Sequence, residues 1–121
     1  MNLAIASLQS LPNPIKTPTY HRTGHAPGVV HLGLGAFHRA HQAMVFDQLL
    51  SQGDMRWGIH GVGMTQPGLV NKLRAQDGLF AVRIADANGL HWQVPGSVWR
   101  TSVATTERDT VVQAIAAPAT R

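Results

Sequence analysis

The sequence predicts an α/β fold: a parallel sheet with helices packed on it, with a β-hairpin inserted and the sheet incomplete. Three observations carry this. Two short apolar runs each end in glycine and lead into a helical stretch, which is a βαβ order. An alternating segment around Ala87-Asn88-Gly89 reads as a hairpin set into that order. The chain then stops after one more strand and helix, where such a sheet usually continues, so the sequence looks cut off.

The elements follow in order. Pro12, Pro14, Pro18 and Pro27 remove donors and fix φ, so residues 1–27 are expected as an extended surface arm, with Leu3, Ile5 and Leu8 packing a short piece down. Val29–Leu32 is a short apolar run ending at Gly33, a buried parallel strand. Residues 37–51 have the composition of a single helix, and Gly53 stands at a helix C-terminus. "WGIHGVGM", residues 57–64, reads as the second strand. "QPGLVNKLRAQDG" reads as a helix with Pro67 at its start, Leu69, Val70 and Leu73 on one side, and Gly78 closing it. After the hairpin a further strand follows. Thr105 or Thr106 is expected to cap a last helix with Val111, Val112 and Ile115 inward and Pro118 just beyond.

Composition narrows the function. The chain has 121 residues, 44% hydrophobic and 13% charged, enough for one domain with a core and too apolar for general disorder. It has no cysteine, which excludes disulfides and thiolate chemistry and suits a cytoplasmic protein. The formal charge is +4, but the basic residues are scattered singly, so no nucleic-acid partner is expected. No basic start with an apolar segment marks a signal peptide, and no stretch approaches the ~20 apolar residues of a membrane span.

The stretch "VVHLGLGAFHRAHQ" carries the chemistry. Gly33 and Gly35 have the spacing of a Rossmann-like dinucleotide turn, in which the first glycine allows the tight turn and the second lets a pyrophosphate approach the backbone. His38 stands where the third glycine would bring helix and strand together. Either the helix sits farther off or the imidazole points out of the packing. No Asp or Glu occurs between Trp57 and Gln76 to hold ribose hydroxyls. Thr65 is a substitute, and Lys72 or Arg74 a partner for a 2′-phosphate. On spacing alone the turn is also compatible with an ordinary strand–helix corner, or with a metal site built from His31, His38 and His41, with Asp47 or His60 near. The plainer reading is no metal: His31 and His60 fill strand positions, and His38 and His41 are half-exposed at a helix start. Ser97 and Ser102 have no evident His and Asp partners, no paired carboxylates stand out, and no catalytic residue is assigned. Trp57, Trp92 and Trp99 are expected in packing.

With "WGIHGVGM" and "RAQDGLFAV" behind it, the G-x-G-x-F-H-R-A-H run resembles the N-terminal part of the long-chain polyol dehydrogenases, the family of mannitol 2-dehydrogenase and fructuronate reductase (mannonate oxidoreductase). The likeness runs from about Thr17 to the C-terminus. It implies that Gly33, Gly35, Ala36, Phe37, His38 and Arg39 line the cofactor pyrophosphate and that Gly63, Met64 and Thr65 lie near the adenosine ribose. In this family Phe-His follows the turn, so His38 fits the pattern. The implied cofactor is NAD or NADP, with NAD placed first. Some members carry an acid after the second strand, where this chain has Gln66-Pro67-Gly68, so cofactor preference does not carry over. The family's catalytic lysine lies far downstream, and neither Lys16 nor Lys72 matches its motif.

The expectation is therefore an extended arm over 1–27, followed by residues 28–121 as the N-terminal part of a dinucleotide-binding domain, without the C-terminal catalytic domain. The complete oxidoreductase would interconvert a polyol or sugar acid such as mannitol or mannonate and its ketose or keto acid. The chain alone is expected to be inactive, to bind cofactor weakly at best, and to self-associate through open sheet surfaces. The alternative is a non-enzymatic interaction module built on the partial sheet.

Overall fold

The computed structural model describes residues 3–12 and 14–121. Residues 1, 2 and 13 of the expected arm lie outside them. The rest of the arm is not wholly extended: Ile5–Ser10 is a short 3-10 helix. Its start is held where the Ile5 N–H donates to Asp77 (2.9 Å). Beyond it, Lys16 bridges Gln93.

Three strands, β1 (Val29–Leu32), β2 (Ile59–Gly63) and β5 (Val98–Val103), form a parallel sheet in the order β1-β2-β5. β2 is central, and all five of its residues are buried, as expected for a strand covered on both faces. β3 (Val82–Asp86) and β4 (Gly89–Gln93) pair antiparallel as a separate hairpin. The turn residues are Ala87 and Asn88, because Asp86 pairs with Gly89, and Gly89 takes the positive φ of 111°. The anticipated hairpin is present, with its register shifted one residue from a central Asn-Gly pair.

The single helix expected over 37–51 is two: α1 (Ala36–Ala40) and α2 (Gln42–Ser51), broken at His41, whose φ and ψ of −122° and −77° are not helical. α3 (Pro67–Ala75) begins at its proline, with Val70 and Leu73 buried and Leu69 packed beside them. Leu34, Ala43, Ile59, Val70, Leu73, Phe80, Val98 and Val103 form the core that joins α2 and α3 to the sheet. Burying the side chains of these larger than alanine contributes about 1.5–3 kcal/mol each.

α4 (Arg108–Ala116) departs from expectation at two points. Its N-cap is Glu107 rather than Thr105 or Thr106, with no side-chain cap bond. Only Val111 turns inward, while Val112 and Ile115 are 55% and 53% exposed. The helix lies over β5 with a one-residue-wide apolar contact instead of a stripe. On the edge of β1 away from β2 no strand pairs among the described residues; there the Arg121 N–H donates to the Gly28 carbonyl (2.8 Å).

Candidate functional site

The C-terminal ends of β1 and β2 open into a cleft of about 190 Å³ lined by Gly33, Leu34, Gly35, Gly63, Met64, Thr65, Gln66 and Leu69. Its floor is set by register. Leu32 pairs with Val62, and the Gly33 N–H donates to the Val62 carbonyl (2.7 Å), so the chain leaves both strands at the same level. Gly33 then reverses the chain with φ at 116°, a conformation that strains any residue with a Cβ. A Cβ built on Gly35 meets nothing within 4 Å, and one on Gly33 meets only His31 Cε1 at 3.9 Å. The turn thus presents bare backbone to open space.

The glycines of β2 do the opposite. A Cβ on Gly61 would lie 2.3 Å from Leu34 Cδ2, and one on Gly63 would lie 2.2 Å from Val70 Cγ2. The close approach that a third glycine of the turn would give is found here on the neighbouring strand, where it admits the Leu34 and Val70 side chains.

Of the nine cofactor residues expected from the sequence, Gly33, Gly35, Gly63, Met64 and Thr65 surround the cleft, whereas Ala36, Phe37, His38 and Arg39 are not among its lining. His38 is 4% exposed, which corrects the half-exposed reading. Its imidazole does not point out of the packing. It stacks on His31 of β1 with ring centroids 3.7 Å apart. The Gln42 amide oxygen, 2.9 Å from Nδ1, can only accept, so Nδ1 carries the proton and Nε2 is a buried bare acceptor without a partner among the described residues. Burial, more than any neighbouring charge, lowers the His38 pKa from 6.5 and keeps the ring neutral. The Arg39 Nε donates to the Leu34 carbonyl (3.2 Å), bracing the turn. Phe37 is 75% exposed and stacks on His41.

The histidines do not converge. His31 pairs with Gly61 and Val30 with His60, so His60 lies on the opposite face of the sheet from His31. It is buried there with Nε2 2.7 Å from Ser102 Oγ, a histidine partner that the sequence did not reveal for that serine. Asp47 is also not a ligand candidate. It is buried and accepts from Tyr20 Oη and from the Gly96 N–H (2.8 Å), tying α2 to the arm and to the segment after β4. Burial, then the bond to Asp47, raises the Tyr20 pKa far above its usual value. Among the described residues no group of three metal-ligating side chains comes together. Arg74, expected as a possible phosphate partner, instead binds Glu107 (2.8 Å) and the Thr101 carbonyl (2.8 Å).

A parallel βαβ sheet with an open glycine turn at the carboxyl end of its first strand defines the chain as a Rossmann-type unit. The family model of the mannitol dehydrogenase Rossmann domain matches residues 27–120, and the chain belongs to that family. It is 40% identical to a mannitol 2-dehydrogenase of Emericella nidulans over 98% of its own length and 24% of that protein's. It superimposes on Pseudomonas fluorescens mannitol 2-dehydrogenase, solved as a ternary complex with NAD and D-mannitol, with a TM-score of 0.92 at 31% identity, covering 100% of this chain and 25% of the other. It is also similar to a substrate-free D-sorbitol dehydrogenase, with a TM-score of 0.87 at 32% identity, covering 100% of this chain and 26% of that one. The chain thus spans about a quarter of the length of these relatives. No helix among the described residues is long and apolar enough to cross a membrane.

Proposed function

We propose that this chain is the NAD(P)-binding segment of an oxidoreductase that interconverts a polyol or sugar acid with its ketose or keto acid. The observation that carries the reading is the bare-backbone turn at Gly33 and Gly35, facing Gly63 to Thr65 across one cleft at the strand ends. The residues present fit a dinucleotide: neither turn glycine carries a side chain where a pyrophosphate would lie, and the Thr65 hydroxyl is exposed at the ribose end. Gly33 and Gly35 would hold the pyrophosphate through the backbone, with Ala36 and Phe37 beginning the helix beside it. Gly63, Met64 and Thr65 would hold the ribose. His38 would act one step removed, locking α1 onto β1 through His31, and Arg39 would fix the turn through the Leu34 carbonyl.

When bound, the nicotinamide accepts hydride from a secondary alcohol carbon. No residue of this chain is offered as the base that takes the hydroxyl proton. Mannitol, sorbitol and mannonate are the substrates to try first, and fructuronate reductase is the sugar-acid activity of the same chemistry. The lack of cysteine supports a cytoplasmic location, and the exposed apolar Leu32 and Phe37, with a β1 edge unpaired among the described residues, support self-association of the isolated chain. The test is polyol-dependent formation of reduced nicotinamide. This chain alone is expected to bind the dinucleotide but give no turnover. Specific oligomers without nucleotide affinity would instead support an interaction module.

A further inference from the structure

The ribose end of the cleft holds a second piece of information, which rests on the dinucleotide reading above. A carboxylate at the end of the second strand normally favours NAD, because it accepts from the ribose 2′-hydroxyl and repels a 2′-phosphate. Here no carboxylate lines the cleft, whose ribose side is Met64, Thr65 and Gln66. Glu107, which follows β5, the strand paired with β2, has its carboxylate already engaged by Arg74 (2.8 Å) and by the Val103 N–H (2.9 Å). The electrostatic source of discrimination against NADP is therefore missing.

A cation stands on the same side. Arg74 is withdrawn by Glu107, but Lys72 is exposed and makes no ion pair among the described residues. At 100° per residue, Lys72 falls between Gly68 and Leu69 around α3 and one turn further along it, and Leu69 lines the cleft. Helical side chains lean toward the N-terminus, so Lys72 leans over Gly68. A Cβ on Gly68 would meet nothing within 4 Å, so the helix surface beneath Lys72 is open there.

We propose that the adenosine end of this cleft accepts a 2′-phosphate, so that NADP binds at least as tightly as NAD, with Thr65 and Lys72 as the residues that read it. Calorimetric titration of the protein with NAD, NADP, 5′-AMP and adenosine 2′,5′-bisphosphate tests this without relying on turnover. In each pair the 2′-phosphorylated ligand is expected to bind at least as tightly. Lys72→Ala is expected to weaken that ligand about tenfold while leaving NAD and 5′-AMP unchanged. Thr65→Asp is expected to reverse the preference toward NAD. If the unchanged protein binds NAD more tightly than NADP, or if Lys72→Ala weakens both ligands equally, the proposal fails and the dinucleotide reading stands. If none of the four ligands binds, both fail together.

Discussion

Gly35 and Gly63 are two glycines with opposite reasons to be glycine. Gly35 has an ordinary φ of −68° and open space where a Cβ would go. Gly63 has Val70 Cγ2 at 2.2 Å from that position. Gly35→Ala should leave stability within about 0.5 kcal/mol of the unchanged protein. Gly63→Ala should cost about 1–3 kcal/mol through overpacking, as read from urea unfolding midpoints. Equal costs at both positions would contradict the packing described. Asp47 is another residue whose role depends on its contacts. Its removal strands the Tyr20 hydroxyl and the buried Gly96 N–H, so Asp47→Ala should cost about 3 kcal/mol and loosen the arm, visible as faster proteolysis around residue 20. The sequence could not reveal this, since Tyr20, Asp47 and Gly96 are brought together only by the tertiary fold.

At the level of elements, local signals identified what local chemistry controls. Pro67 starts α3, Gly33 ends the first turn with a positive φ, and the alternating runs around residue 88 form the hairpin. The failures occur where packing overrides composition. Residues 37–51 read as one helix because their composition is helical throughout. The break at His41 separates α1, whose His38 stacks on His31 of β1, from α2, and that contact with the strand is one no periodicity encodes. In α4, Val111, Val112 and Ile115 were all apolar enough to face inward, but only one fits against β5. The same limit applies to the site: G-x-G spacing marked the turn, whereas the inward imidazole, the His60–Ser102 pair and the engagement of Arg74 by Glu107 depend on neighbours distant in sequence.

For the molecule as a whole, two buried histidines on opposite faces of the sheet link stability to pH. Burial lowers the pKa of both His38 and His60 below the 6.5 of an unfolded histidine. Below that value the unfolded chain binds protons that the folded chain excludes. The contribution is therefore complete above about pH 6.5 and is lost as pH falls through the folded-state values. Chemical unfolding at pH 8 and pH 5 should show lower stability at pH 5, and the double variant His38→Gln, His60→Asn should flatten that difference. An unchanged slope in the double variant would place the pH dependence elsewhere.

The central claim is that the bare turn at Gly33 and Gly35 receives a dinucleotide pyrophosphate. Its most direct test is titration of the protein with reduced nicotinamide dinucleotide, followed by fluorescence, alongside the Gly35→Ala variant. Saturable binding is expected, weakened about tenfold or more in the variant because the added methyl occupies the approach to the backbone, with its melting temperature unchanged. Saturable binding of equal strength in both proteins, or none in either, would contradict the account.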